Sequence, residues 1–220
     1  HLIYSESDKR YFLKDFLNGL DENIPLDFST PYGCSKGSAD QYVRDWSRVY
    51  GLKTVVFRHS SIYGGRQFSS IDQGWVGWFC KKALEQRIAI NENKNIIPFT
   101  ISGTGKQVRD VLNAKDLVNL YCCAYNKKDK ISGKIFNIGG GPNNAISLKE
   151  LSAKCQKITQ NKVKIKKIKR SSNYDIPYFV TDNKKIQHFY KWKPKKNIDQ
   201  ILNDIFVWLS ANPKIEKIYF

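Results

Sequence analysis

Apolar and polar positions along the 220-residue chain switch between a helical and an extended period. Residues 1–28 are irregular and polar, ending in the apolar-acidic stretch Ile24 to Phe28. Ser29 or Thr30 is placed to cap a helix, with Pro31 in its first turn. That helix is predicted to run to Tyr50 and to stop at Gly51. Thr54-Val55-Val56-Phe57 is a short apolar run suited to a buried strand. Ser60 to Gln73 reads as a loop that turns at Gly64-Gly65. Trp75, Trp78, Phe79, Lys82 and Ala83 recur at helical spacing and predict a helix from Gly74 to about Ala89. Pro98 to Ser102 and Gln107 to Leu112 read as strands, with Gly103-Thr104-Gly105 as the turn between them. Asn113 to Asn126 is predicted helical, with Leu117, Leu120, Tyr121 and Ala124 on one face. Ile135 to Ile138 reads as a strand followed by the turn Gly139-Gly140-Gly141. Ser147-Leu148-Lys149-Glu150 is a capping box that opens the next helix. Val163 to Ile168 alternates apolar and basic, as an edge strand does. Thr181 to Tyr190 and Asn197 to Asn212 are predicted to be the last helices. Such alternation of helices and strands argues for an α/β fold with a mostly parallel sheet.

Composition narrows the function classes. Apolar residues make up 41% and mean hydropathy is -0.50, so a packed core is expected and no run approaches a membrane span. Net charge is +17, and it is uneven. Fourteen Lys and Arg lie between Lys154 and Lys196, against Asp175 and Asp182. Such a segment attracts phosphate, on a nucleic acid or a nucleotide. A solvated Lys-rich surface is the plainer reading, because exposed aromatics are not interleaved with the charges. Cys34, Cys80, Cys122, Cys123 and Cys155 are odd in number and contain no C-x-x-C spacing. Reduced thiols and a cytoplasmic setting are expected, with no metal site. His59 and His188 are read as structural. The chain has no Met and opens on His1, which suggests that it starts partway into a longer protein.

Tyr32-Gly33-Cys34-Ser35-Lys36 places a phenol and an ammonium one helical turn apart. An ammonium held close favours the phenolate form and makes a phenol usable as a proton acceptor. Pro31 to Lys36 resembles the Tyr-x-x-x-Lys signature of the extended short-chain dehydrogenases/reductases. Arg58-His59-Ser60-Ser61-Ile62-Tyr63-Gly64 is similar to that family's Arg-x-x-Asn-x-Tyr-Gly segment. Gly105 to Val111 resembles its Gly-x-x-x-Arg-Asp segment. The run from Tyr32 through Cys80, with Gly65-Arg66-Gln67-Phe68 and Asp72-Gln73-Gly74-Trp75, is similar to the CDP-paratose 2-epimerase (CDP-tyvelose 2-epimerase) subfamily. Pro98 to Gly103 and Phe136 to Gly140 continue that resemblance.

The resemblance implies an isomerase that uses bound NAD on a CDP-sugar in a lipopolysaccharide pathway. It implies that Tyr32 is the proton acceptor and that Lys36 holds the nicotinamide ribose and assists Tyr32. Ser60 would lie by the nicotinamide and Ser61 by the sugar diphosphate, where Ser61 replaces the commoner Asn. Arg66 and Gln67 fall on the substrate side, and Arg109 would clamp the diphosphate through its planar fork. Arg170 matches a second Arg near the nucleotide, although Ser171 to Asp175 makes the loop after it longer than usual. The implied fold is the C-terminal part of a Rossmann-type doubly wound parallel sheet plus a small α/β substrate-binding domain. Residues 1–97 would be the remainder of the NAD-binding domain with a crossover. Residues 98–220 would be mainly the substrate domain, with part returning to the Rossmann sheet. No Gly-x-x-Gly-x-x-Gly loop and no upstream Ser or Thr partner precede Tyr32, so the isolated chain is expected to be inactive. A homo-oligomer is implied for the full-length protein. Other nucleotide-sugar 4-epimerases and 4,6-dehydratases are the neighbouring enzyme readings. A basic polyanion-binding module is the reading from another class.

Overall fold

The computed structural model describes residues 2–70, 73–127, 130, 132–168 and 175–213. Its elements run β1 (Ser5–Glu6), β2 (Tyr11–Phe12), α1 (Pro31–Tyr50), β3 (Val55–His59), β4 (Ser61–Tyr63), α2 (Trp75–Asn91), β5 (Phe99–Ser102), β6 (Val108–Asn113) and α3 (Ala114–Tyr125). They continue with β7 (Lys134–Ile138), a 3-10 turn (Pro142–Asn144), β8 (Ala145–Ser147), α4 (Leu148–Thr159), β9 (Ile165–Ile168), β10 (Tyr178–Phe179), α5 (Lys184–Tyr190) and α6 (Ile198–Ala211).

The helix ends follow from the sequence chemistry. Thr30 caps α1, and Gly51 closes it in the left-handed region at φ 67. Ser147 with Glu150 and Asn197 with Gln200 form complete capping boxes on α4 and α6. Between the helices, β3 and β7 pair in parallel, with Phe57 opposite Phe136. β6 centres a second sheet, parallel to β4 and β10 and antiparallel to β8. β5 pairs in parallel with β9, and β1 pairs antiparallel with β2.

Three apolar clusters hold these layers. One lies between α2, α4 and α6 and includes the fully buried Val76, Phe79, Leu151, Ile201 and Leu202. A second fills the space between the β3–β7 pair, α3 and α5, with Leu112, Leu120, Phe136, Ile138 and Ile186 at its centre. The third fixes the N-terminal segment through Leu13, Leu20, Val108, Tyr178 and Val180. Each such side chain contributes about 1.5–3 kcal/mol of transfer free energy.

The structure departs from the sequence reading in five places. The Ser60–Gln73 loop contains β4, three residues that pair with Val111 to Asn113. Residues 5–12, read as irregular, form the β1–β2 hairpin. The strands either side of Gly103-Thr104-Gly105 do not pair with each other, because β5 pairs with β9 and β6 lies in another sheet. Tyr121 is 41% exposed, and its hydroxyl meets His59 Nε2 at 2.8 Å. The helix predicted from Thr181 begins at Lys184, since Thr181 bridges to Leu20 and turns its hydroxyl inward. In the basic segment, Lys154, Lys184 and Lys196 pair with Asp199, Asp182 and Asp204, so part of its charge is met locally.

Candidate active site

The first turns of α1 are fixed by a cap and by two small residues. Thr30 Oγ1 accepts a hydrogen bond from Gly33 N–H at 3.0 Å. The Phe28 ring crosses the helix at Gly37, where a Cβ would overlap it, and passes close to Gly33. Glycines four residues apart therefore let the chain fold back over its own helix. On the neighbouring flank, Lys36 Nζ lies 5.6 Å from the centroid of the Tyr32 ring. Tyr32 is 73% exposed, so the phenol and ammonium form an accessible pair.

α1 runs antiparallel to β3. Thr54 Oγ1 donates to the Val43 carbonyl at 3.0 Å. Further along the strand, Arg58 forms a two-pronged ion pair with Asp40, Nε to Oδ2 at 2.6 Å and Nη2 to Oδ1 at 3.1 Å. From Asp40, one helical turn back to Lys36 covers about 6 Å. Two strand residues from Arg58 to Ser60 cover about the same. Lys36 thus stands level with Ser60 at the carboxyl end of β3, the end at which open α/β sheets receive ligands, and Tyr32 lies one turn, about 6 Å, beyond it.

At that end the two sheets meet on one buried carboxyl. Asp110 has no exposed surface. The Ser60 hydroxyl donates toward both its Oδ1 and its main-chain oxygen, the latter at 2.9 Å. Oδ2 accepts from Thr181 Oγ1 at 2.6 Å and from Gly141 N–H at 2.8 Å. Burial pushes the Asp110 carboxyl above the usual carboxylate range, and the hydrogen bonds from Ser60, Thr181 and Gly141 oppose that rise. Gly139 has no room for a Cβ against Asp110 and Thr181, nor has Gly140 against Val111 and Asn144. The triple-glycine turn therefore serves close approach of the loop after β7 to β6. Asn183 seals that loop, donating to the Gly139 carbonyl at 2.8 Å and accepting from Gly139 N–H at 3.2 Å.

The remaining predicted residues spread from this seam. Ser61 is the first residue of β4 and pairs with Val111. Arg66 is exposed and sits at φ 69, a strained conformation for a residue with a Cβ. Gln67 and Ser69 have buried side-chain oxygens, Oε1 and Oγ, with no hydrogen-bond partner among the described residues. Both lie against Gly74 and Gly77 at the start of α2. Trp208 of α6 packs on Gly65 and, edge to face, on Phe68 at 5.7 Å between centroids. Arg109 turns its guanidinium onto the carbonyls of Val108 and Ile176 at 2.8 and 2.7 Å and onto Asp175 at 3.1 Å. Burial lowers its pKa, and Asp175 pulls it back up. Arg170 lies outside the described residues.

Ser60 thus bonds Asp110, the residue after Arg109 on β6, while the Arg109 side chain leaves the opposite face of that strand toward Asp175 and Ile176. An open groove of about 600 Å³ follows the opposite flank of α1 from Tyr32, lined by Phe28, Cys34, Gly37, Gln41, Tyr42 and Arg48 among others. Sequence reasoning gave no role to Asp110, although it lies inside a quoted segment, and it missed Thr181 and Asn183. Their partners are 31 to 71 residues away, so no local pattern marks them. Gln86 and Asp116 were missed for the same reason. Gln86 bonds the main chain at Ile97 and Lys164, and Asp116 accepts from the N–H groups of Lys195 and Lys196.

Known proteins resemble this chain over most of its length. Over 209 residues, 94% of the chain and 60% of the relative, it is 48% identical to CDP-paratose 2-epimerase of Salmonella typhi. It is 28% identical over 193 residues to dTDP-glucose 4,6-dehydratase 1 of Escherichia coli, covering 84% of the chain and 49% of that protein. Among solved structures, Pal from Bacillus thuringiensis superposes with a TM-score of 0.75 at 26% identity, covering 89% of this chain and 57% of that one. UDP-glucuronic acid 4-epimerase from Bacillus cereus, solved with UDP-glucuronic acid and NAD, shares the fold with a TM-score of 0.71 at 21% identity, over 88% and 56% of the two chains. The chain spans 60% of the length of its Salmonella relative and about half that of the dehydratase. The profile of the NAD dependent epimerase/dehydratase family matches residues 2–139. With more than half of its residues inside that match, the chain belongs to the NAD dependent epimerase/dehydratase family.

Proposed function

We propose that this chain carries the proton-transfer and substrate-binding groups of a NAD-dependent nucleotide-sugar epimerase that inverts C2 of CDP-paratose to give CDP-tyvelose. The observation that carries the reading is the exposed Tyr32–Lys36 pair beside the carboxyl end of β3, in a chain 48% identical to CDP-paratose 2-epimerase. Tyr32 takes the proton of a sugar hydroxyl at its phenol oxygen and later gives it back. The Lys36 ammonium, within reach of the same space, binds ribose hydroxyls and supplies positive charge where the phenolate forms. This donor set fits NAD at its ribose and nicotinamide end, with the half-buried Ser60 directly after the end of β3. When bound, NAD would serve as the acceptor of the hydride that leaves the sugar carbon and as the donor that returns it, as cofactors carry such chemistry. Residues 1–97 then belong to the cofactor side and 98–220 mainly to the substrate side, with β7 returning to pair with β3.

On the substrate side, Arg109 offers a planar fork to the diphosphate, which replaces Asp175 as its partner. Ser61, Arg66, Gln67 and Arg170 complete the proposed substrate set. Titration calorimetry on the full-length protein tests this half of the reading. CDP is expected to bind more tightly than UDP, and Arg109→Ala to weaken CDP binding by about 10- to 100-fold. Equal weak affinity for the two nucleotides, or no loss in Arg109→Ala, removes the case for a CDP-sugar held by Arg109.

A further inference from the structure

Ser60 has one hydroxyl proton and two acceptors in reach, both on Asp110. The second carboxyl oxygen of Asp110 is already met by Gly141 N–H and the Thr181 hydroxyl. The partners of that carboxyl among the described residues are two hydroxyls and one N–H, none of them an obligate acceptor; the Thr181 hydroxyl lies nearer to Asp110, at 2.6 Å, than to Asn183 Oδ1, at 3.2 Å. A fully buried carboxylate with three donors is satisfied as an ion. Its neighbours fix it firmly, since Gly139 and Gly140 bring the β7 loop into contact with β6 and Asn183 holds the loop there.

We propose that Asp110 is a positioning residue, which draws the Ser60 hydroxyl inward so that Ser60 meets a bound ligand as a hydrogen-bond acceptor. The consequence is a selection rule at the cofactor end of the site: Ser60 favours a ligand group that brings an N–H, such as the carboxamide of a nicotinamide. This step rests on the reading that Ser60 faces the cofactor. The direction of the Ser60–Asp110 hydrogen bond does not depend on it. Because Asp110 sits beside Arg109 on β6, the same carboxyl joins the wall that orients the cofactor to the strand that carries the diphosphate clamp.

Two measurements on the full-length protein decide the matter. In the first, the Asp110 carboxyl carbon is followed through a pH titration by NMR on aspartate-labelled protein. Removing a donor destabilises the ionised form, so Ser60→Ala is expected to raise the titration midpoint by about one pH unit. Thr181→Val, which removes the other hydroxyl donor, is expected to do the same. Among the described residues, Arg109 and Tyr178 are the titratable side chains that interact with Asp110, and both variants retain them. A midpoint that stays or falls in Ser60→Ala overturns the proposal, because Ser60 would then not be donating. In the second, NAD affinity is measured for Asp110→Asn. The amide oxygen satisfies Gly141 and Thr181, and its N–H₂ turns toward Ser60 and fills a lone pair there. A loss of about tenfold is expected in the Ser60 protein and none in the Ser60→Ala background. Equal losses in both backgrounds make the role of Asp110 merely structural and overturn the proposal. A wild-type protein with no NAD affinity overturns the cofactor reading and its selection rule, and the titration still settles the hydrogen bond.

Discussion

Tyr32→Phe is expected to lower kcat for epimerisation by about 10²- to 10⁴-fold, the range over which a positioned proton-transfer group acts. The substitution removes one oxygen atom from a side chain that is 73% exposed and belongs to no apolar cluster. Thermal stability and CDP affinity should therefore stay near wild type. The two readouts separate a chemical role from a structural one. A fall in kcat at unchanged CDP affinity places the loss in the transition state. Steady-state kinetics on the full-length variant, with a melting curve beside it, makes the comparison. Retained turnover would remove Tyr32 from the reaction.

Asp40→Ala is expected to cost about 3 kcal/mol of folding stability, as breaking a buried ion pair by removing one partner does. The side chains of Arg58 and Asp40 are only 18% and 9% exposed. Without Asp40 the guanidinium is left in a largely dry seam between α1 and β3. The effect reaches the site, because this pair sets how far α1 extends along the strand and so where Tyr32 and Lys36 stand. Urea denaturation read by circular dichroism measures the loss. Arg58→Met with Asp40→Leu should recover much of it, since apolar groups of similar size leave no unpaired charge. A single variant as stable as wild type would show that the pair does not fix the helix.

How far the sequence reading reached is decided by the range of the interactions. α1 was legible at both ends because its signals are local: Thr30 and Pro31 start it and Gly51 stops it. The capping boxes on α4 and α6 were equally plain. β4 was hidden, since three residues carry no period and the strand exists through pairing with Val111 to Asn113. Tyr121 follows the helical period of Leu117 and Leu120, yet its hydroxyl needs a polar partner and finds His59 at the surface. At the site, the Tyr32–Lys36 spacing gave the pair directly. Ser60, Ser61 and Arg109 came from resemblance to known segments. Asp110 joins residues 60, 141 and 181, and nothing in the spacing of four distant segments announces a shared carboxyl. The hold of Asp175 on Arg109 is hidden in the same way, across 66 residues.

Inversion of a CDP-linked sugar at C2 is the activity proposed for the full-length protein. Proton NMR of CDP-paratose incubated with the full-length protein and NAD tests it most directly. The account predicts that resonances of CDP-tyvelose grow in until the two epimers stand at equilibrium, and that Tyr32→Phe stops the change. A spectrum of CDP-paratose that stays unaltered, while UDP-glucose or dTDP-glucose is converted under the same conditions, would contradict it.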